Sequence, residues 1–338
     1  MDSITHIVLG ATLGEAMAGP KLKKRAMLFG AIAQSLPDID FVAALWSDPA
    51  ADLLAHRGFT HSFLFVALIA PALAWLGKRW NKDASLSFQA WCIFFGSQLL
   101  IHDFLDAFNA YGTGWFEPFS HARFSFNILF VADPSFTLWS FISSLALLLT
   151  PWNSKLWRLR WTRLGLILSS LYLVCAVTNK LIVDHIVEKN FKEQSIRHDQ
   201  YFTTPTPLNT FLWYIVAADK DGYHIGYRSV FDRDPVIDFK YFVKNDSLLN
   251  PIRNRKDVQN LVRFSQDYYI IRNTNDTLVF SDLRFGQMAG WHNPNSGFVF
   301  YYYLKNPGQN KMVIQRGRFS NWNRSAVAAL WKRIKGNR

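Results

Sequence analysis

Six apolar runs separated by short polar loops fill the first half of the chain: residues 7–19, 26–46, 61–77, 86–108, 135–150 and 164–183. A helix needs about 20 apolar residues to cross a hydrocarbon layer about 30 Å thick. The runs 86–108 and 164–183 meet that requirement alone, and 61–77 and 135–150 need their flanks. Run 7–19 covers only about 20 Å at 1.5 Å per residue, as a re-entrant or thinly covered segment would. The pattern predicts an α-helical membrane bundle of about six helices over residues 1–185.

Beyond that point the period changes from helical to alternating. YHIGYRSV at 223–230, YYIIR at 268–272, residues 277–280 and FVFYYYL at 298–304 combine β-branched and aromatic residues in strand-like alternation. Pro205 and Pro207 mark extended chain at the entry. A mostly β extramembrane domain is expected over 186–338, ending in a short cationic helix at roughly 320–338.

Charge gives the helices an orientation. Lys21, Lys23, Lys24 and Arg25 fill one loop, Lys78, Arg79 and Lys82 a second, and Lys155, Arg158, Arg160 and Arg163 a third. The alternate loops hold almost none: Arg57 between 41 and 60, and Arg123 between 109 and 134. In a six-helix count the three cationic loops share one side, which the positive-inside rule places in the cytoplasm. The net charge of +12 is thus largely explained by loops facing membrane lipids. No nucleic-acid-reading motif accompanies it, so no nucleic-acid partner is expected. Half the residues are hydrophobic and mean hydropathy is +0.01, an average suited to one membrane part and one soluble part. Cys92 and Cys175 lie in apolar runs and read as fillers. The opening MDSITHIVLG lacks a cationic signal-peptide start, so insertion is expected to depend on the first helices.

Histidines and aspartates cluster at particular helix ends. Asp2 and His6 are four apart at a helix start, where Asp2 also suits a cap. PDID places Asp38 and Asp40 two apart, and HRGFTHS carries His56, Arg57 and His61 into the third helix. His102 and Asp106 share a face near the end of the fourth, with Asp103 on another face. In an up-and-down bundle, starts of odd helices and ends of even helices meet on one membrane face, here the face opposite the Lys/Arg loops. Imidazole and carboxylate ligands suit Zn²⁺, Mn²⁺ or Fe²⁺, and ionisable groups in membrane helices are costly enough to signal function. One or two divalent ions are expected, zinc first. Arg57 and Arg123 fit either anion clamps or loop contacts. His185, His198, His224 and His292 show no partner pattern.

MDSITHIVLGATLG, LPDID, HRGFTHS, HDFLDAFNAYGTGWFEPFSHARF and VADP together resemble the membrane-bound metal-dependent hydrolases of the bacterial YdjM type, over roughly residues 1–185. The resemblance implies an integral protein of the bacterial cytoplasmic (inner) membrane. It places the family's metal residues at His6, Asp38, Asp40, His56, His61, His102 and Asp106, and its later elements at Arg123 and Asp133. Asp103 departs from the pattern. The function expected is hydrolysis of an ester or phosphoester of a lipid or membrane-associated substrate, with Asp38, His61, Arg57 and Arg123 as the catalytic set. The metal site and the C-terminal domain are expected on the non-cytoplasmic face. The competing expectation is a non-enzymatic membrane scaffold with a structural metal and a partner-binding β domain.

Overall fold

The computed structural model describes residues 1–82, 85–274, 277–305 and 322–337. Its first half is helical: α1 (Ser3–Leu22), α2 (Lys24–Ser35), a 3-10 segment at Pro37–Leu45, α3 (Pro49–Ala55), a 3-10 turn at Phe59–His61, α4 (Phe63–Trp80), α5 (Phe88–Asp106), α6 (Pro134–Leu149) and α7 (Lys155–Glu193). Short polar side chains start several of these. Asp2 accepts from Thr5 N at 3.1 Å, Ser62 from Phe65 N and Ser87 from Ala90 N, each answering an orphan first-turn N–H.

Among the described residues, α4 and α7 alone have the length and apolarity to cross a membrane. A third span arises if α2 and the 37–45 segment, bent by 49° at their junction, are counted together. The sequence pattern predicts six. The shortfall has identifiable causes: α1 carries Glu15 and Lys21, α5 ends in His102, Asp103 and Asp106, and α6 is 16 residues long. The bend replaces the expected continuous run 26–46. Pro37 lacks the N–H that would continue the α2 ladder.

The chain divides into two compact units. One comprises Met1–Val42, Ala55–Ala176 and Pro207–Asn209; the other comprises Ala43–Leu54, Val177–Thr206 and Thr210–Arg338. In the helical unit, Gly10 and Gly14 of α1 lie against Gly30 and Ala26 of α2. A Cβ on Gly10 would sit 2.5 Å from Gly30 O, and one on Gly14 would sit 2.1 Å from Ala26 O. The two backbones therefore touch, as small residues permit in membrane helices. Ala18, Ala26, Val66, Ala70, Trp91, Phe95 and Leu99 join α1, α2, α4 and α5 in one apolar core. The cationic loops meet at one end. Lys21 Nζ donates to Ser85 O at 3.2 Å, Arg25 to Asn81 Oδ1 at 3.1 Å and Lys24 Nζ to Leu148 O at 2.7 Å. Near that end Arg158 forks onto buried Glu15, at 2.8 and 2.7 Å, and also donates to Leu147 O and Thr150 O.

Among its described residues the second unit holds two antiparallel sheets. The first has the order β1 (Gln200–Pro205), β2 (Leu212–Ala218), β3 (Gly222–Ser229), β4 (Lys240–Val243); the second has β5 (Tyr269–Thr274), β6 (Thr277–Gln287), β7 (Phe298–Tyr303). Strands were expected at β3, β5, β6 and β7; β1, β2 and β4 are additions. Pro205 sits on edge strand β1, where a missing donor is tolerated. Helix α7 continues ten residues beyond the expected run, to Glu193. Its Val183, Val187 and Phe191 pack on Trp213, Ile215 and Ala217 of β2. The alternate residues Tyr214, Val216 and Ala218 face Ile270, Leu283 and Phe298 of the second sheet. β2 is therefore covered on both faces. Helix α8 (Lys256–Phe264) and a C-terminal helix α9 (Arg324–Ile334) complete the unit; residues 320, 321 and 338 of the expected tail helix lie outside the described residues.

Candidate metal centre

Four side chains converge at the end of the helical unit that carries the 37–45 segment: Asp38, His61, His102 and Asp106. Each offers one donor atom within 4.8 Å of all the others. Each arrives by a local backbone device. Pro37 ends α2 and starts the 3-10 segment that turns Asp38 inward. His61 closes a 3-10 turn just before α4. His102 and Asp106 are one turn apart on α5.

Hydrogen bonds set the imidazole tautomers. His102 donates from Nδ1 to Gln34 O at 2.5 Å. His61 Nδ1 faces Asp40 Oδ2 at 3.3 Å and Thr60 Oγ1 at 3.1 Å. With both Nδ1 atoms so engaged, the two Nε2 atoms point at each other across 3.0 Å. Asp38 Oδ1 stands 3.6 and 3.7 Å from them, and Asp106 Oδ2 stands 3.3 and 3.6 Å away. Buried Asp106 Oδ2 has no hydrogen bond of its own. Two imidazole lone pairs and two carboxylates facing inward repel one another unless positive charge lies among them. Burial opposes charge on His61, but its bonds to Asp38 and Asp40 outweigh this and hold its pKa above the ordinary value. The centre thus attracts positive charge. Its N₂O₂ donor set fits a divalent ion.

The remaining site residues stand one step out. His6 stacks on His102 with ring centroids 3.8 Å apart and reaches Asp106 Oδ1 at 3.0 Å. Its Nδ1 lies 3.3 Å from Gln34 Oε1. Asp40 bonds His56 Nδ1 at 2.9 Å and accepts from Arg57 N at 2.7 Å. It therefore orients His61, as a carboxylate behind a metal-binding histidine does. Burial lowers the pKa of His56, although Asp40 opposes the shift. Arg57 has φ +57, a left-handed backbone that costs a non-glycine residue about 1–3 kcal/mol. That turn lets its N–H reach Asp40 while its buried side chain runs to Asp106, with Nε 2.9 Å from Oδ2, and on to Asn109 Oδ1 at 2.8 Å. The nitrogen of Met1 also donates to Asp106.

Arg123 donates to His56 O at 3.1 Å and Gly112 O at 3.4 Å, tying the loop after α5 to the HRG turn. Asp133 caps α6 through Ser135 N and Phe136 N and accepts from Tyr172 Oη at 2.8 Å. Asp103 is fully buried, its carboxylate oxygens have no hydrogen-bond partner, and it stands outside the four-residue cluster. Gln34 and Asn109 were missed by sequence reasoning. A glutamine in the apolar helix three residues before PDID and an asparagine three residues after Asp106 were the available signals.

A membrane-associated helical unit carrying a buried His/Asp centre, followed by a unit of antiparallel sheets, is the class that these features define. The family described as YdjM inner membrane protein matches residues 1–183, more than half of the chain, and the chain belongs to it. It is similar to the inner membrane protein YbcI of Escherichia coli (strain K12), at 29% identity over 123 residues, 36% of this chain and 69% of that protein. It is also similar to the uncharacterized protein YfhP of Bacillus subtilis (strain 168), at 28% identity over 239 residues, 67% of this chain and 68% of the relative. The second match is longer than the helical half, so it includes part of the sheet-bearing half. No solved structure matches the chain significantly.

Proposed function

We propose that this protein is an integral membrane, metal-dependent hydrolase, with its centre on the non-cytoplasmic side, acting on an ester or phosphoester at the membrane surface. The observation that carries the reading is the convergence of Asp38, His61, His102 and Asp106 with both imidazole Nε2 atoms facing inward. These four would hold the ion. A divalent ion there supplies Lewis acidity and makes water a stronger acid. Asp40 and Gln34 O fix the two imidazoles, and His6 and Arg57 hold the Asp106 carboxylate in place. Asp38 is the exposed member, with 20% of its side chain open, and faces any incoming group. It is the residue placed to orient water or accept a proton from it. Arg57 is committed to Asp106 and Asn109, so its part is positioning. Arg123 supports the His56 loop from outside.

Membership of an inner-membrane family and the apolar helices support the membrane setting. Metal analysis of detergent-purified protein tests the centre: about one equivalent or more of a divalent ion is expected, lost in His61→Ala and His102→Ala. Trace metal unaffected by either change refutes the reading. Turnover of phosphoester, lipid and acyl-ester panels by metal-loaded protein separates hydrolase from scaffold.

A further inference from the structure

The two short 3-10 segments that bring ligands to the centre also carry large apolar side chains outward. In the 37–45 segment Asp38 and Asp40 turn in, while Ile39 is 49% and Phe41 is 69% exposed. In the 59–61 turn His61 is fully buried, and Phe59 is 46% exposed. A 3-10 helix has three residues per turn, so Asp38 and Phe41 lie on the same edge, one above the other. Asp38 is also the ligand with part of its side chain open, whereas the side chains of His61, His102 and Asp106 are closed off. The way in to the centre therefore runs past the exposed Phe41 ring, with exposed Ile39 on the neighbouring edge. Thr60 Oγ1 donates to Asp40 Oδ2 at 3.2 Å, so the two segments are tied side by side, and each turns an apolar rim of exposed side chains outward.

Water is a poor neighbour for such a rim, since each apolar Å² left in water forgoes roughly 25 cal/mol. The bend of 49° that creates it lies in a helix pair apolar enough to span a membrane. Irregular backbone at that depth is tolerated where the protein satisfies its polar groups, as Leu36 O does for Ile39 N at 3.1 Å.

We infer that the centre is entered from the lipid, and that its substrate is an amphiphile whose acyl or prenyl tail lies along Ile39, Phe41 and Phe59 while its polar ester or phosphoester group reaches Asp38. The inference rests on the metal-dependent reading above and narrows it from any substrate at the membrane surface to one with a tail. Part of the binding energy then comes from a region remote from the reacting bond, and a headgroup alone would bind poorly.

Full-length protein in phosphatidylglycerol–phosphatidylethanolamine vesicles, containing a phospholipid with a photoactivatable diazirine in mid-chain, tests this. After illumination and mass-spectrometric mapping, adducts are expected on the peptides carrying Ile39, Phe41 and Phe59, beside those on the outer faces of α4 and α7. Dioleoyl phosphatidylglycerol should displace the label at the rim, and glycerol phosphate should not. Phe41→Ser should lose rim labelling and keep its bound metal and the α4 adducts. Adducts confined to α4 and α7, rim labelling unchanged in Phe41→Ser, or displacement by glycerol phosphate equal to that by the long-chain lipid would each overturn the inference. Metal content of the same sample is read separately: a metal-free protein with a labelled rim refutes the hydrolase reading, and a metal-loaded protein with an unlabelled rim refutes lipid entry.

Discussion

Glu15 and Asp106 are both buried carboxylates of the helical unit, and their surroundings differ in kind. Glu15 meets Arg158 through two bonds of 2.8 and 2.7 Å, and the same guanidinium also satisfies two helix-end carbonyls. Asp106 meets His6 and the Met1 nitrogen at Oδ1 and Arg57 Nε, 2.9 Å away, at Oδ2, and the same Oδ2 also faces the two imidazoles of His61 and His102. The sheet-bearing unit resembles the first case, with Asp282 forked by Arg284 and Asp232 by Arg333. A charge whose partners are complete holds structure. Asp106 instead belongs to a cluster of two imidazoles and two carboxylates that could hold an ion.

The largest effect that would test this contrast is expected at the complete pair. Arg158→Ala strands Glu15 in an apolar setting and should cost about 3–5 kcal/mol in thermal or denaturant unfolding in detergent. Bound metal in the surviving folded fraction should be unchanged. If the metal is lost in parallel, the two ends are not independent. Next comes the ion itself. At a free ion concentration 100 times Kd, binding stabilises the folded state by about 2.7 kcal/mol. A chelator should therefore lower the melting temperature of the wild type and leave that of His61→Ala/His102→Ala unmoved; equal shifts in both would remove the centre from the account.

Asp40→Asn sharpens the contrast within the site. It keeps the four ligands but weakens the hold on His61, and metal affinity measured by competition titration should fall about 10–100-fold. Unchanged affinity would reduce Asp40 to a loop residue. The smallest effect is expected at Asp133→Ala, which removes the α6 cap at a cost of about 1 kcal/mol with metal content unaltered. Loss of metal in that variant would bring Asp133 into the centre.

Much of the site was legible in the spacing of its residues. His102 and Asp106 at a four-residue interval, and the paired carboxylates after Pro37, announce themselves without a fold. What spacing could not separate is membership of the four-residue cluster from contact with one of its members. His6 and His56 look like any other histidine of the motifs, and the fold alone puts His6 against Asp106 and His56 against Asp40. Gln34 acts largely through its backbone carbonyl, which carries no sequence signal. In the fold, β2 escaped notice because LWYIVAA is buried on both faces and so shows no alternation. The end of α7 was misjudged for a related reason: past the apolar run its buried positions are spaced for packing on a sheet, with charged residues between them.

The glycine contact between α1 and α2 has a consequence for ion choice. His6 belongs to α1, Gln34 to α2 and Asp38 to the 3-10 segment after it, so the gap between these walls is set by main chain resting on main chain at Gly10, Gly14 and Gly30. Side chains can swing to accommodate a larger ion, but two touching backbones act as a caliper with a fixed opening. A methyl group at Gly14, roughly 12 Å along the helix from His6, would widen that opening before it disturbed any ligand. If the centre holds an ion as proposed, discrimination between small and large cations would rest partly on residues outside the cluster.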